Sequence, residues 1–421
     1  MLYTSDSSTF NAATELFKLG KNTVVSAQAL VEQSLLARRK GQHEVALALM
    51  QQATAEQPER TDWLNNLGVA YCELKAFAKA EASFTRALQL NTHDQDALWN
   101  LSTLALKQKQ FAKGWQSYGA RKYSVAGGQQ VVAPTIPRPQ WQGQLKPSES
   151  LFIWPEQGIG DQVMFASCFV DLNRLVEREE YAENSVMIAC DIRLYSLFKR
   201  SFPYLTFIPT GEEPLALPQA PNWQCGYGDL PQFFRQELGD FDDASFGYLK
   251  ADANRVEDWR NKLAKFDSVV GITWRGGRKG NDFERCLALD ELEVFRKTKA
   301  HIVSLQYQAT ANELEQLSKA IAKPVLTSKS TDRVSSLDDY FALLAACHHI
   351  VSVDCAVAHF AGAIGVPANI LLPYNADWRW SESTSSSYWY NSLNLMRQTE
   401  DRTWQVPLQQ AADQVTSFTP V

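Results

Sequence analysis

SVDCAVAHFAGAIGVP, from Ser352 to Pro367, joins the end of a strand to a helix and then stops. Ile350, Val351 and Val353 have the character of a short buried parallel strand, and Ala356 to Ile364 reads as a helix. Its small residues, Ala356, Ala358, Ala361, Gly362 and Ala363, permit close packing, and Gly365 with Pro367 ends it. The first amides of a helix lack intrahelical acceptors and carry the positive end of its dipole. The amides after Asp354, at Cys355 and Ala356, are therefore placed to meet a phosphate, with His359 on the same helix. Plain packing also accounts for a Gly/Ala-rich helix, and His359 also suits a structural role.

Outward from this stretch, strand-like and helical runs alternate. LFIWP is followed by a helix from Gln162, VMIAC by a helix from Ile192, and LTFIP begins at Leu205. The alternation restarts at VVGITW (Val269 to Trp274) and continues through a helix near Leu289, HIVSLQY, a helix near Asn312, KPVLT and a helix around Tyr340. Two successive doubly wound α/β units explain the pattern, and such sheets bind ligands beyond the carboxyl ends of their strands.

At 421 residues the chain is too long for one core. Its net charge of −6 argues against a nucleic-acid partner. The seven cysteines are scattered and lack a CxxC pair, which suits reduced thiols of a cytoplasmic protein. Neither a leader-like start nor an apolar run of membrane-spanning length is present, so no transmembrane segment is expected. His348 and His349 lack a carboxylate or cysteine at ligand spacing, and no metal site is expected there.

The N-terminal part repeats. Ser34, Gly68 and Ser102 fall in register at steps of about 34 residues, the tetratricopeptide (TPR) period. The units lie near 27–60, 61–94 and 95–128, with Ala46, Ala80 and Gly114 as the small residues between paired helices. Helix pairs at this period form a concave face, on which Asn65, Asn66, Tyr71, Trp99 and Asn100 are candidate contacts for a protein acceptor. A purely bracing role fits the repeats equally. The expected order is repeats over 1–126, a Gly/Gln/Pro-rich linker over 127–148, one Rossmann-like unit over 149–266 and a second over 267–398. A C-terminal helix or tail follows over 399–421.

Each α/β unit opens on a glycine-bearing loop. In WPEQGIGDQVMF, Gly158 and Gly160 let the backbone turn between strand and helix, and Asp161 stands at the helix start, where it could cap the helix or face the cleft. In ITWRGGRKGNDFER, Arg275, Arg278, Lys279 and Arg285 alternate with glycines in a cationic loop suited to phosphate.

FAKGWQSYGARKY, PRPQWQG, EQGIGDQVMFA, GITWRGGRKGNDFER, VSLQ, SVDCAVAHFAGAIGVP and PYNADWRW, in that order, resemble the TPR-linked glycosyltransferases. Their catalytic part is similar to that of the bacterial heptosyltransferases (glycosyltransferase family 9) and more distantly to the protein O-GlcNAc transferases. The resemblance implies TPR repeats followed by a GT-B fold of two Rossmann-like domains. It also implies an inverting mechanism, a nucleotide-sugar co-substrate with no other cofactor, and a protein acceptor, of which flagellin is one candidate. Where the family usually has Asp-Thr-Gly this chain has Asp354, Cys355 and Ala356, and a usual serine is Cys286. A glycan or lipopolysaccharide acceptor and a non-catalytic binding scaffold are the alternative readings.

For direct displacement at an anomeric carbon, Asp161 is the candidate base. Gly158, Gly160, Arg275, Lys279, Gln306, Asp354, Cys355, Ala356 and His359 are the candidate donor-side residues, with Asp354 ordering its turn and Gln306 meeting base or ribose. Trp378, Arg379 and Trp380 are expected to pack the two α/β units together.

Overall fold

The computed structural model describes residues 26–125, 131, 134, 136–178, 181–211, 215–276, 285–328 and 337–417. By its contacts the chain divides into two compact units, at Leu104 and Ala105.

The first unit is helical. Ala27–Arg39 (α1) pairs with His43–Glu56 (α2), and Thr61–Glu73 (α3) pairs with Phe77–Leu90 (α4). Gln95–Lys107 (α5) runs past the division. Ser26 caps α1 by accepting from the Ala29 amide. Leu30, Val31, Met50, Ala53 and Trp63 form one buried cluster, spaced so that each helix turns one stripe inward. At Gly68 a Cβ would lie 2.3 Å from Phe84 Cε1, so a larger residue there would force the buried ring to move.

The second unit holds two parallel sheets. In the first, the strands Leu151–Trp154 (β1), Val186–Asp191 (β2), Thr206–Thr210 (β3) and Trp223–Gly226 (β4) stand in the order β3-β2-β1-β4. In the second, Val269–Ile272 (β5), His301–Ser304 (β6), His349–Val353 (β7), Ala368–Leu372 (β8) and Leu393–Arg397 (β9) stand in the order β6-β5-β7-β8-β9. Leu151 lies opposite Val186 and Trp223, and Val270 opposite Ile302 and His349. β1, β5, β7 and β8 are buried along their whole length, as strands covered on both faces must be. Strand order reverses between β1 and β4 in one sheet and between β5 and β7 in the other. At such a reversal the connections leave in opposite directions and open a crevice.

β4, β8 and β9 do not appear in the sequence reading. KPVLT contributes only an isolated bridge from Val303 to Leu326, and the helix expected near Leu289 is a 3-10 helix over Asp290–Lys297. Within the expected linker, Trp141 is buried and its amide donates to Gln224 O at 2.9 Å, so this part is docked on the first sheet. The second unit also takes in Phe111–Ser117 (α6) and the 3-10 turn Tyr118–Lys122, both inside the third expected repeat. Among the described residues no helix is long and apolar enough to cross a membrane.

Candidate functional site

At the end of β7, Asp354 and Cys355 lead into the helix Ala356–Ala363 (α14 in chain order; α7 is Ile159–Phe165 after β1). The intervening helices are Phe169–Arg178 (α8), Tyr195–Ser201 (α9), Pro231–Phe234 (α10), Ala253–Leu263 (α11), Ala311–Ile321 (α12) and Asp338–Ala346 (α13). Asp354 is buried. Its Oδ1 accepts from Trp380 Nε1 at 2.8 Å, while Oδ2 has no hydrogen-bond donor and lies 3.6 Å from Arg285 Nη1. Burial raises its pKa, with Arg285 opposing the shift. Cys355 is the helix N-cap and makes no side-chain cap. Its Sγ sits 3.5 Å from Ser352 Oγ and 3.8 Å from Thr273 Oγ1, with those two hydroxyls 2.8 Å apart, and burial pushes the thiol pKa up. Its sulfur thus turns back into the β5–β7 crevice.

His359 stands inside the protein. Its Nδ1 is 3.0 Å from Tyr390 Oη and its ring stacks on Trp380 at 5.0 Å between centroids. Burial lowers its pKa to about 4, so the imidazole is neutral at neutral pH.

Asp161 comes from the other sheet. Gly158 is the N-cap of α7, and its amide donates to Asp161 Oδ2 at 3.0 Å. The other oxygen, Oδ1, is 2.6 Å from Arg379 Nη2. Asp161 therefore caps its helix with one carboxylate oxygen and pairs with Arg379 through the other. Helices α7 and α14 pack together at Gly160, where a Cβ would lie 3.1 Å from Ala356 Cα and 3.2 Å from His359 Cδ2. Gln157, just before the cap, has φ of 62°, a left-handed conformation uncommon outside glycine, and its Oε1 is 3.4 Å from Arg379 Nη2.

Arg379 is a residue the sequence reading placed in packing of the two α/β units, ahead of a sugar-stacking role for its aromatic neighbours. Its Nη1 donates to Asp377 Oδ1 at 2.7 Å, and its guanidinium lies 4.5 Å over the Trp378 ring. Trp378 in turn meets Trp115 and Tyr118 edge-on, each at 5.6 Å between centroids. The signal available was PYNADWRW, an Arg between two indoles and two residues after an Asp.

Gln306 and Arg275 form a second group. Gln306 Oε1 accepts from the amides of Trp274 and Arg275, both at 3.0 Å, so its side chain fixes the start of the cationic loop. Arg275 is paired through Nε and Nη2 with Glu313 at 2.7 and 3.1 Å, which depresses the Glu313 pKa to about 2. Arg278 and Lys279 lie outside the described residues.

The β1–β4 crevice of the first sheet is filled by protein. Arg121 Nε and Nη2 each lie 2.6 Å from a Glu156 oxygen, and Nη2 is 2.7 Å from Asp229 Oδ1. Lys122, Gln140 and the Gly226 amide complete the Asp229 carboxylate, and the Gly228 amide donates to Glu156. Buried charges persist only when paired and hydrogen-bonded in this way. Glu156 belongs to the loop that leads through Gly158 into α7 and Asp161.

In the first unit, Asn65 is buried. Its Nδ2 donates to Asp94 Oδ1 at 3.2 Å and its Oδ1 lies 3.4 Å from Asn100 Nδ2, so it knits α3 to α5. Asn66, Trp99 and Asn100 are half-buried, and Tyr71 Oη accepts from Gln51 Nε2 at 3.0 Å. Among the described residues no group of three or more His, Cys, Asp or Glu is gathered as for a metal ion.

No family model matches the chain. The chain is similar to Protein FlbA of Caulobacter vibrioides, 26% identical over 335 residues, or 75% of this chain and 54% of that protein. It thus spans about half the length of the curated relative it matches. A family 9 glycosyltransferase from Veillonella parvula aligns with 65% of the chain and 96% of its own, at 11% identity and a TM-score of 0.43. The ADP-heptose lipopolysaccharide heptosyltransferase II of E. coli aligns with 63% of the chain and 96% of its own, at 13% identity and a TM-score of 0.43. An O-GlcNAc transferase of Thermobaculum terrenum aligns with 93% and 90%, at 13% identity and a TM-score of 0.26.

Proposed function

We propose that the chain is a glycosyltransferase of GT-B architecture that moves a sugar, with inversion, from a nucleotide-sugar to a protein acceptor recruited by the helical repeats. Flagellin is the candidate acceptor that the sequence resemblance offers. One observation carries the reading: α7 and α14 pack together at Gly160, and the Asp161 carboxylate beside it meets Arg379, whose neighbour Trp380 bonds Asp354 at the anion-favouring turn. Direct displacement needs a carboxylate near the attacking hydroxyl and positive charge near the departing diphosphate. Asp161 supplies the first. The α14 amides, Arg275, Arg285 and Lys279 supply the second without requiring a metal, and Gln306 orders the Arg275 loop.

The test is turnover of labelled UDP-, GDP-, ADP-, dTDP- and CMP-sugars with the natural acceptor protein, and the anomeric configuration of the product. Asp161→Ala is expected to cut turnover by a factor on the order of 10² to 10⁴ without weakening donor binding. Wild-type levels of transfer by that variant would remove Asp161 as the base, and absence of turnover with every donor would leave the scaffold reading.

A further inference from the structure

An arginine 2.6 Å from a general base is a problem for that base. It occupies the carboxylate oxygen that would have to meet the acceptor hydroxyl. The surroundings of Arg379 suggest how the conflict is resolved. One edge of the guanidinium is anchored, with Nη1 on Asp377 and the plane on Trp378, while the backbone amide also donates to Asp377. On the other edge Nη2 meets Asp161 and Gln157, and Nε is buried without a hydrogen-bond partner. Asp161 does not depend on the arginine for its position, because Oδ2 is fixed by the Gly158 amide. Arg379 also adjoins the turn expected to receive phosphate: Trp380, the next residue, donates to Asp354, and the charge of Arg379 is felt at both Asp354 and His359.

We propose that Arg379 is passed from Asp161 to the diphosphate of the nucleotide-sugar, so that donor binding itself releases the Asp161 carboxylate for the acceptor hydroxyl. This rests on the donor reading above. The diphosphate, with more charge and more acceptor oxygens than one carboxylate, takes Nη2 and Nε together, and Asp377 and Trp378 hold the side chain throughout. Arg379 then also faces the charge that develops on the leaving group.

Asp161 and the diphosphate compete for one guanidinium, and a binding cycle reads that competition directly. Calorimetric titrations use ADP, UDP, GDP and dTDP, with the matching nucleosides, against the full chain and its Asp161→Asn, Arg379→Gln and doubly substituted forms. Asp161→Asn is expected to tighten the best nucleoside diphosphate by about 3- to 30-fold and to leave the nucleoside unchanged. Arg379→Gln is expected to weaken the diphosphate by about 10-fold or more, and in that background Asp161→Asn should no longer tighten it. A tightening that persists without Arg379 would be simple relief of charge repulsion and would overturn the proposal, as would no tightening at all. If Asp161→Asn does not fold, Asp161→Ser, which keeps a capping oxygen, carries the same expectation. Failure of the unsubstituted chain to bind any of the four diphosphates would sink the donor reading and this inference together, an outcome distinct from binding that ignores Asp161.

Discussion

His359 shows how far a single residue can be read from spacing. Its place on the helix after Asp354 marked it for a phosphate, but nothing local disclosed that Trp380 and Tyr390 would enclose it. Those partners are contributed by the chain after β8, and only the assembled fold brings them in. The enclosure has a measurable consequence. Unfolded, the imidazole takes a proton near pH 6.5, whereas folded it does so near 4, so between these values the unfolded chain binds the extra proton. Stability attached to His359 is therefore complete above about pH 6.5 and falls as pH drops toward 4, by on the order of 3 kcal/mol in total. His359→Gln, which can still bond Tyr390, is expected to flatten the acid limb of a melting-temperature profile in this window. An unchanged slope would mean that the ring is hydrated in the folded state. Asp161, by contrast, was legible as a helix cap from its Gly-x-Gly-Asp turn between strand and helix, and the structure adds its ion pair with Arg379. Arg379 was expected to join the two α/β units, but nothing in the spacing named Asp161 as its partner.

Among the elements, the strands that announce themselves are those with continuous β-branched or aromatic runs, such as β1, β5 and β7. β4 contains Trp223, Gln224, Cys225 and Gly226, whose partner Trp154 takes the Gln224 side chain at 2.6 Å, and no local pattern distinguishes it from a loop. β8, with Asn369 at its centre, and β9 owe their strand state to parallel pairing with β7 and with each other. Small residues proved more informative than apolar ones. The stretch of α14 read as capable of close packing does pack closely, Gly362 against Tyr390 and Ala356 against Gly160. Gly160→Ala sets two effects against each other. Helix propensity favours alanine by up to about 1 kcal/mol, less in a first turn, whereas a methyl 3.1 Å from the Ala356 Cα pushes on backbone that cannot swing aside. The contact should win, with a loss of about 1 to 2 kcal/mol seen in denaturant unfolding and weaker nucleotide binding as α7 and α14 separate. A more stable variant would show that the helices have slack at this point.

At the scale of the whole molecule, the third expected repeat is where sequence and structure part. A 34-residue spacing placed it in the sequence, but spacing does not say which compact unit a helix joins. Trp115 donates to Arg235 O at 2.7 Å, Lys107 donates to Ala376 O at 2.7 Å, and Arg121 fills the β1–β4 crevice, so α6 and its flanks are structural parts of the second unit. A truncation at the composition change near Ala126 would remove all three. It would leave Glu156 and Asp229 as buried carboxylates without Arg121, a loss of about 3 to 5 kcal/mol before the exposed indole surface is counted. The same truncation loosens the loop from Glu156 to Asp161, so a lost activity would say nothing about the repeats. A fragment of residues 91–421 keeps α5 whole together with Lys107, Trp115 and Arg121, and removes α1 to α4 with Asn65, Asn66 and Tyr71. We expect 91–421 to melt cooperatively and bind nucleotide as the full chain does, 127–421 to be unfolded or aggregated, and 91–421 to lose transfer to the protein acceptor. Calorimetric melting separates the first two expectations, and labelled-sugar transfer decides the third. A cooperative 127–421 would deny Arg121 its structural role, and undiminished modification of the acceptor by 91–421 would make the first two helix pairs a brace rather than the recruiting surface.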